Sequence, residues 1–130
     1  GDARRARQEY EEARPRLEAE TQKHPSRANQ RSLLARTYAG LGRKEEALRE
    51  ARQAVETLPI SKDAVDGSYV EIQQAAVEAR VGETNAAIEH IRKLLSIPCL
   101  LSPGLLRIDP MWAPLRDDPR FRKLAELDRE

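Results

Sequence analysis

Two histidines, one cysteine and a set of aspartates beside prolines are the groups in this chain whose chemistry invites a catalytic reading. Asp109, Asp118 and His90 together could serve a small hydrolytic enzyme as acid, base and orienting group. Catalytic carboxylates need a shared pocket and a second defined group, whereas an Asp-Pro pair starts a helix unaided. The carboxylate caps free amides and the proline fits the first turn, so Asp109 and Asp118 are read as caps. Neither His24 nor His90 belongs to a His-x-x-x-His or Glu-x-x-His ligand pattern, and no metal is expected. His24 falls in a last helical turn, where a cation complements the helix dipole. Cys99 is alone, which excludes an internal disulfide and a multi-cysteine metal site; it is read as a small core residue. Gly40-x-Gly42 continues as Arg43-Lys44 and makes no phosphate-cradling loop. No catalytic residue and no cofactor is expected.

Charge points away from polyanions as well. The N-terminal Arg4, Arg5, Arg7, Arg14 and Arg16 are interleaved with Glu9, Glu11, Glu12 and Glu18, the pattern of a solvated helix face laced with ion pairs. A net charge of +1 gives no long-range field for nucleic acid or an anionic membrane. No apolar run approaches the ~20 residues of a membrane span, and a cytoplasmic location is expected. The start at Gly1, without an initiator methionine, reads as a piece cut from something longer.

The elements that must position any site are helical. Charged residues make up 35% and hydrophobic ones 39%, with only five aromatics. Alanine and leucine supply much of the apolar content, so helices packed through small side chains are expected. The chain repeats itself: Pro25 and Pro59, Ala13 and Ala47, and Leu17 and Ala51 are each 34 residues apart. Gly42 and Gly82, Ala47 and Ala87, and Ala51 and Ile91 are each 40 apart. Such a period marks stacked helix pairs within a single domain, 1–130.

The best unit is 28–61. Leu33, Leu34, Tyr38 and Leu41 make one amphipathic helix, and Gly42 suits a left-handed helix end. A second helix over about 44–58 carries Ala47, Leu48, Ala51, Ala54 and Val55 on one stripe, and Pro59 cannot continue it. The next unit, 62–98, has a first helix over about 68–81 and a second over 85–96 with Ala87, Ile88, Ile91, Leu94 and Leu95. Gln74 and Glu78 stand there in the places of Leu34 and Tyr38, and six additional residues fall near 61–67. Either that insertion rotates the helix or a partner covers the polar positions. Residues 1–27 read as the helix of a partial repeat, in which Pro15 either kinks the helix or starts a fresh one. Residues 99–130 read as a cap with turns near 103–107 and 110–115 and a helix over 119–127. Leu105, Leu106, Ile108, Trp112, Leu115, Phe121, Leu124 and Leu127 are its expected apolar side.

The string Leu34-Ala35-x-x-Tyr38, then Gly42, Ala47-x-x-x-Ala51-x-x-Ala54 and Pro59 resembles the tetratricopeptide repeat. Ala35 replaces the glycine usual after the leucine, and Arg31 stands where a tryptophan is common. The stretch 106–121, with Asp109-Pro110-Met111-Trp112 and Asp118-Pro119-Arg120-Phe121, resembles the closing motif of repeat regions in bacterial multidomain regulators. Those regions follow protein-kinase, adenylate-cyclase or winged-helix domains. The resemblance implies an all-α, right-handed superhelical stack of antiparallel helix pairs with a capping segment. It implies a non-catalytic interaction module or scaffold, accessory to a larger protein, or a domain restraining a fused kinase or cyclase.

In such a stack the first helices line the concave side. That face would present Asn29, Ser32, Leu33, Arg36 and Gly40 from one helix and Tyr69, Ile72, Gln73, Ala76 and Arg80 from the next. A protein or peptide partner, or the chain's own upstream domain, is expected there. Ser32 and Arg36 do not match the lysine and asparagine with which related domains clamp a C-terminal carboxylate. The N-terminal edge, where the stack is incomplete, is expected either to continue into further sequence or to self-associate as a homo-oligomer.

Overall fold

Alanine, leucine and the long charged side chains that fill this chain lose little rotamer freedom in a helix. The computed structural model describes residues 1–129, and among them it contains helices and no strand. Helix α1 (Asp2–Lys23) runs unbroken through Pro15, so a fresh start there is overturned. Pro15 and Glu11 are both exposed, so water can take the carbonyl that proline leaves without an N–H partner.

Two antiparallel pairs follow: α2 (Ala28–Gly40) with α3 (Lys44–Thr57), and α4 (Ala64–Arg80) with α5 (Thr84–Leu95). Both first helices close in the same way. Gly42 and Gly82 take φ of 76° and 90°. Arg43 N–H then reaches back to the Tyr38 carbonyl at 2.9 Å, as Glu83 N–H does to Glu78 at 2.8 Å. This double return satisfies carbonyls the helix end would leave open. The short link then has no room except to fold the next helix back.

The six additional residues have a specific address. Helix α4 has 17 residues against 13 in α2, and its extra turn is 64–67. The remaining two lengthen the 58–63 loop relative to the 24–27 loop. Asp63 caps the added turn, accepting from Val65 N–H at 3.0 Å and Asp66 N–H at 2.9 Å. Gly67 lets that turn lie on the loop: a Cβ there would come 2.8 Å from the Ile60 backbone.

Of the residues expected to pack the repeats, Gly42 and Gly82 are exposed and Pro59 is half-buried. Leu34, Ala35, Tyr38, Ala47, Ala51, Ala54, Ala87 and Ile91 are all buried. Leu17 of α1, Leu34 and Tyr38 of α2, and Ala47 and Ala51 of α3 form one cluster, joined by Val77 of α4. Ala28, Ala54 and Val70 tie three of these helices, α2, α3 and α4, in a second cluster. A larger cluster joins α4 and α5 to the closing segment through Ile88, Leu106, Trp112, Leu115 and Phe121.

That closing segment comprises α6 (Pro103–Ile108), a 3-10 helix (Pro110–Leu115), α7 (Pro119–Ala125) and a 3-10 turn (Leu127–Arg129). Asp109 and Asp118 cap as expected, accepting from Met111 N–H at 3.0 Å and Arg120 N–H at 2.8 Å. The expected apolar side needs correcting at three positions: Leu105, Ile108 and Leu127 are exposed. A helix as short as α6 has one buried face, and Leu106 takes it.

The expectation for α4's polar positions is also corrected. Neither a rotated helix nor a partner is needed to cover Glu78. Its carboxylate is buried against His90 of α5, with Oε1 2.6 Å from Nδ1. Glu71 is likewise met by Lys93 at 2.8 Å.

Candidate interaction groove

Helices α2 and α4 lie side by side, and the 3-10 helix stands against α4 in turn. Between them runs a groove of about 510 Å³. Arg36 and Ala39 form one wall, Ala76, Val77 and Arg80 the floor, and Asp109, Pro110, Met111 and Pro114 the other wall. A smaller hollow of about 240 Å³ adjoins it, lined by Asn29, Ser32, Leu33, Arg36, Tyr69 and Gln73. Arg36 borders both.

Of the face read from the sequence, Arg36, Ala76 and Arg80 line the groove and Asn29, Ser32, Leu33, Tyr69 and Gln73 the hollow, while two residues lie elsewhere. Ile72 lines neither depression; it is buried in the α4–α5 core, because α4 turns that stripe toward α5. Gly40 is covered by the Tyr10 ring, which occupies the place of a side chain there. The wall from the closing segment was not anticipated, since no local pattern foretells which helix a cap will stand against.

Charge in the groove is unevenly committed. Arg80 donates from Nη1 to the Tyr10 hydroxyl at 3.0 Å, and its guanidinium lies 5.4 Å from the ring centroid. Arg36 is exposed and has no hydrogen-bond or ion-pair partner among the described residues. Asp109 Oδ1 accepts the capping hydrogen bond from Met111 N–H. Gln73 is only 6% exposed, yet its Oε1 has no hydrogen bond. Such a buried carbonyl typically costs about 1–3 kcal/mol. Tyr10, which packs on Gly40 and holds Arg80 at the groove's edge, is the residue that sequence reasoning missed. Its signal was Gly40, a glycine two residues before the one the helix end requires.

The groups that invited acid–base chemistry are held in three separate arrangements. Asp109 lines the groove without the other two. His90 sits between α5 and α4, its pKa raised by the hydrogen bond to Glu78 against the opposing effect of burial. Asp118 is held down to about 2 by the Arg120 guanidinium, whose Nη2 lies 2.9 Å from Oδ2. Among the described residues no three His, Cys, Asp or Glu side chains are grouped to hold a metal ion. Cys99, half-buried and unpaired, donates to the Leu94 carbonyl at 3.3 Å.

Two side chains of α2 make the polar contacts that hold it to its neighbours instead. Arg31, in the position read as an unusual replacement, donates to Glu50 at 3.0 Å, Gln53 at 2.6 Å and the Pro25 carbonyl at 2.8 Å. The Tyr38 hydroxyl donates to Glu18 of α1 at 2.5 Å. Burial first, and then that carboxylate, push the phenol's pKa up.

No helix among the described residues is long and apolar enough to cross a membrane. Comparison of the chain with family models, curated proteins and solved structures finds no match.

Proposed function

We propose that this chain is a tetratricopeptide-type module whose α2–α4 groove receives a protein partner, and that it is not itself a catalyst. It then acts as an accessory or regulatory part of a larger protein, with α2–α3 and α4–α5 as successive units of a right-handed stack. The observation that carries this reading is the groove's make-up. The first helices of the two pairs supply one wall and the floor, and an uncommitted guanidinium stands at the junction with the hollow that exposed Leu33 and Tyr69 line. A charged, partly apolar depression of this kind suits peptide recognition. The separate engagements of Asp109, Asp118 and His90 favour binding over chemistry.

The test is a display selection of random peptides against the chain, followed by binding of the selected peptides to an Arg36→Glu, Arg80→Glu double variant. Both side chains are exposed, so the variant should keep the parent's helical circular dichroism. The expected outcome is enrichment of binders that the charge-reversed protein no longer holds. Equal binding by the folded variant would remove the groove from consideration.

A further inference from the structure

Two features of the groove are left unanswered by the fold itself. Arg36, at the junction of groove and hollow, presents a guanidinium with no partner among the described residues. Gln73, more than nine-tenths buried in the hollow's lining, has an Oε1 that accepts nothing. Arg80 differs, because Tyr10 already holds it by a hydrogen bond and by its ring face. A carboxylate entering from solvent therefore finds its free cation at Arg36.

We infer, resting on the reading that the groove receives a peptide, that its occupant is an extended acidic segment of a partner protein. One Glu or Asp of that segment sits on Arg36, and a neighbouring main-chain N–H is donated to Gln73 Oε1. Charge complementarity sets the sign: Arg36 and Arg80 outnumber the one carboxylate lining the groove, Asp109, whose Oδ1 caps Met111 N–H. The orphaned carbonyl sets the conformation. A helix uses its own N–H groups internally, whereas an extended chain offers them to whatever it lies against. Glutamine's terminal torsion is broad, so the amide can turn to meet an incoming donor. Exposed Leu33 and Tyr69, with Met111 and Pro114 on the far wall, place apolar side chains on either side of the acid.

Three pools of fluorescein-labelled short peptides test this, randomised everywhere except for a central Glu, Gln or Lys. Retention on the immobilised chain is measured at low and high salt. The Glu pool should be retained about tenfold more than the Gln and Lys pools, as a charge-assisted hydrogen bond implies, and the margin should shrink at high salt. Arg36→Gln should bring the Glu and Gln pools level. Gln73→Leu, with Gln73→Met as a companion should the first fold poorly, should lower retention of both pools alike.

Equal retention of all three pools would overturn the acidic occupant. A Glu preference surviving in Arg36→Gln would overturn its seat, and undiminished retention by the folded Gln73 variants would overturn the main-chain contact. Failure of every pool to bind would instead defeat the underlying reading of the groove as a peptide site.

Discussion

Glycine does two different jobs in this chain, and single substitutions separate them. Gly42 is needed for its backbone: φ is 76° and nothing lies within 4 Å of where a Cβ would sit. Gly67 is needed for its absence of side chain, since a Cβ would meet the Pro59–Ile60 backbone at 2.8 Å. Gly42→Ala should cost about 1–2 kcal/mol from left-handed strain alone. Gly67→Ala carries no such strain but must push the 58–63 loop off α4, and urea unfolding should rank it as the more damaging. The reverse order would mean that the loop yields freely.

At the same scale, the Glu78–His90 contact makes stability depend on pH. The folded-state pKa of His90 lies above its ordinary value, chiefly through Glu78, with Glu71 adding to the rise and Lys93 and burial opposing it. Its contribution is therefore complete below about pH 6.5 and lost as pH climbs through the folded value. The thermal midpoint should fall between about pH 6 and pH 9, and Glu78→Gln should flatten that fall. A decline of the same size in the variant would assign it to other groups.

Among the elements, the α2–α3 pair was legible because its packing is written locally. Small residues at fixed spacing let two helices approach, and Ala47 and Ala54 are fully buried as a result. Ala47→Leu should overpack that crossing and cost about 1–3 kcal/mol; an unchanged melting temperature would place Ala47 elsewhere. Helix α4 was harder to read. Its start lies one turn earlier than the repeat implied, because Asp63 supplies a cap and Gly67 a close approach that the periodicity does not contain. Its buried Glu78 looked misplaced because its partner, His90, belongs to the neighbouring helix. Pairing across helices leaves no mark within either one. For the same reason the groove's helical walls could be listed in advance, while Tyr10 and the closing segment's contribution could not.

For the molecule as a whole, two paired units are few for the repeat stack proposed above, and the closing segment adds to their core. Trp112, Leu115 and Phe121 enter the same core as Ile88 and Ile91, so the second unit is completed from the C-terminal side. The first unit is held to the second through Val77, which belongs to α4 but packs into the cluster of α1, α2 and α3. That side-by-side union of the two pairs is what creates the groove. Methyl-selective nuclear Overhauser spectroscopy on a sample labelled at Ala, Val, Leu and Ile tests it most directly. Cross-peaks should connect the Val77 methyls with at least one of Leu34, Ala35, Ala39, Ala47 and Ala51. Val77 cross-peaks confined to methyls of α4 and α5 would mean that the pairs do not stack and that the groove does not exist.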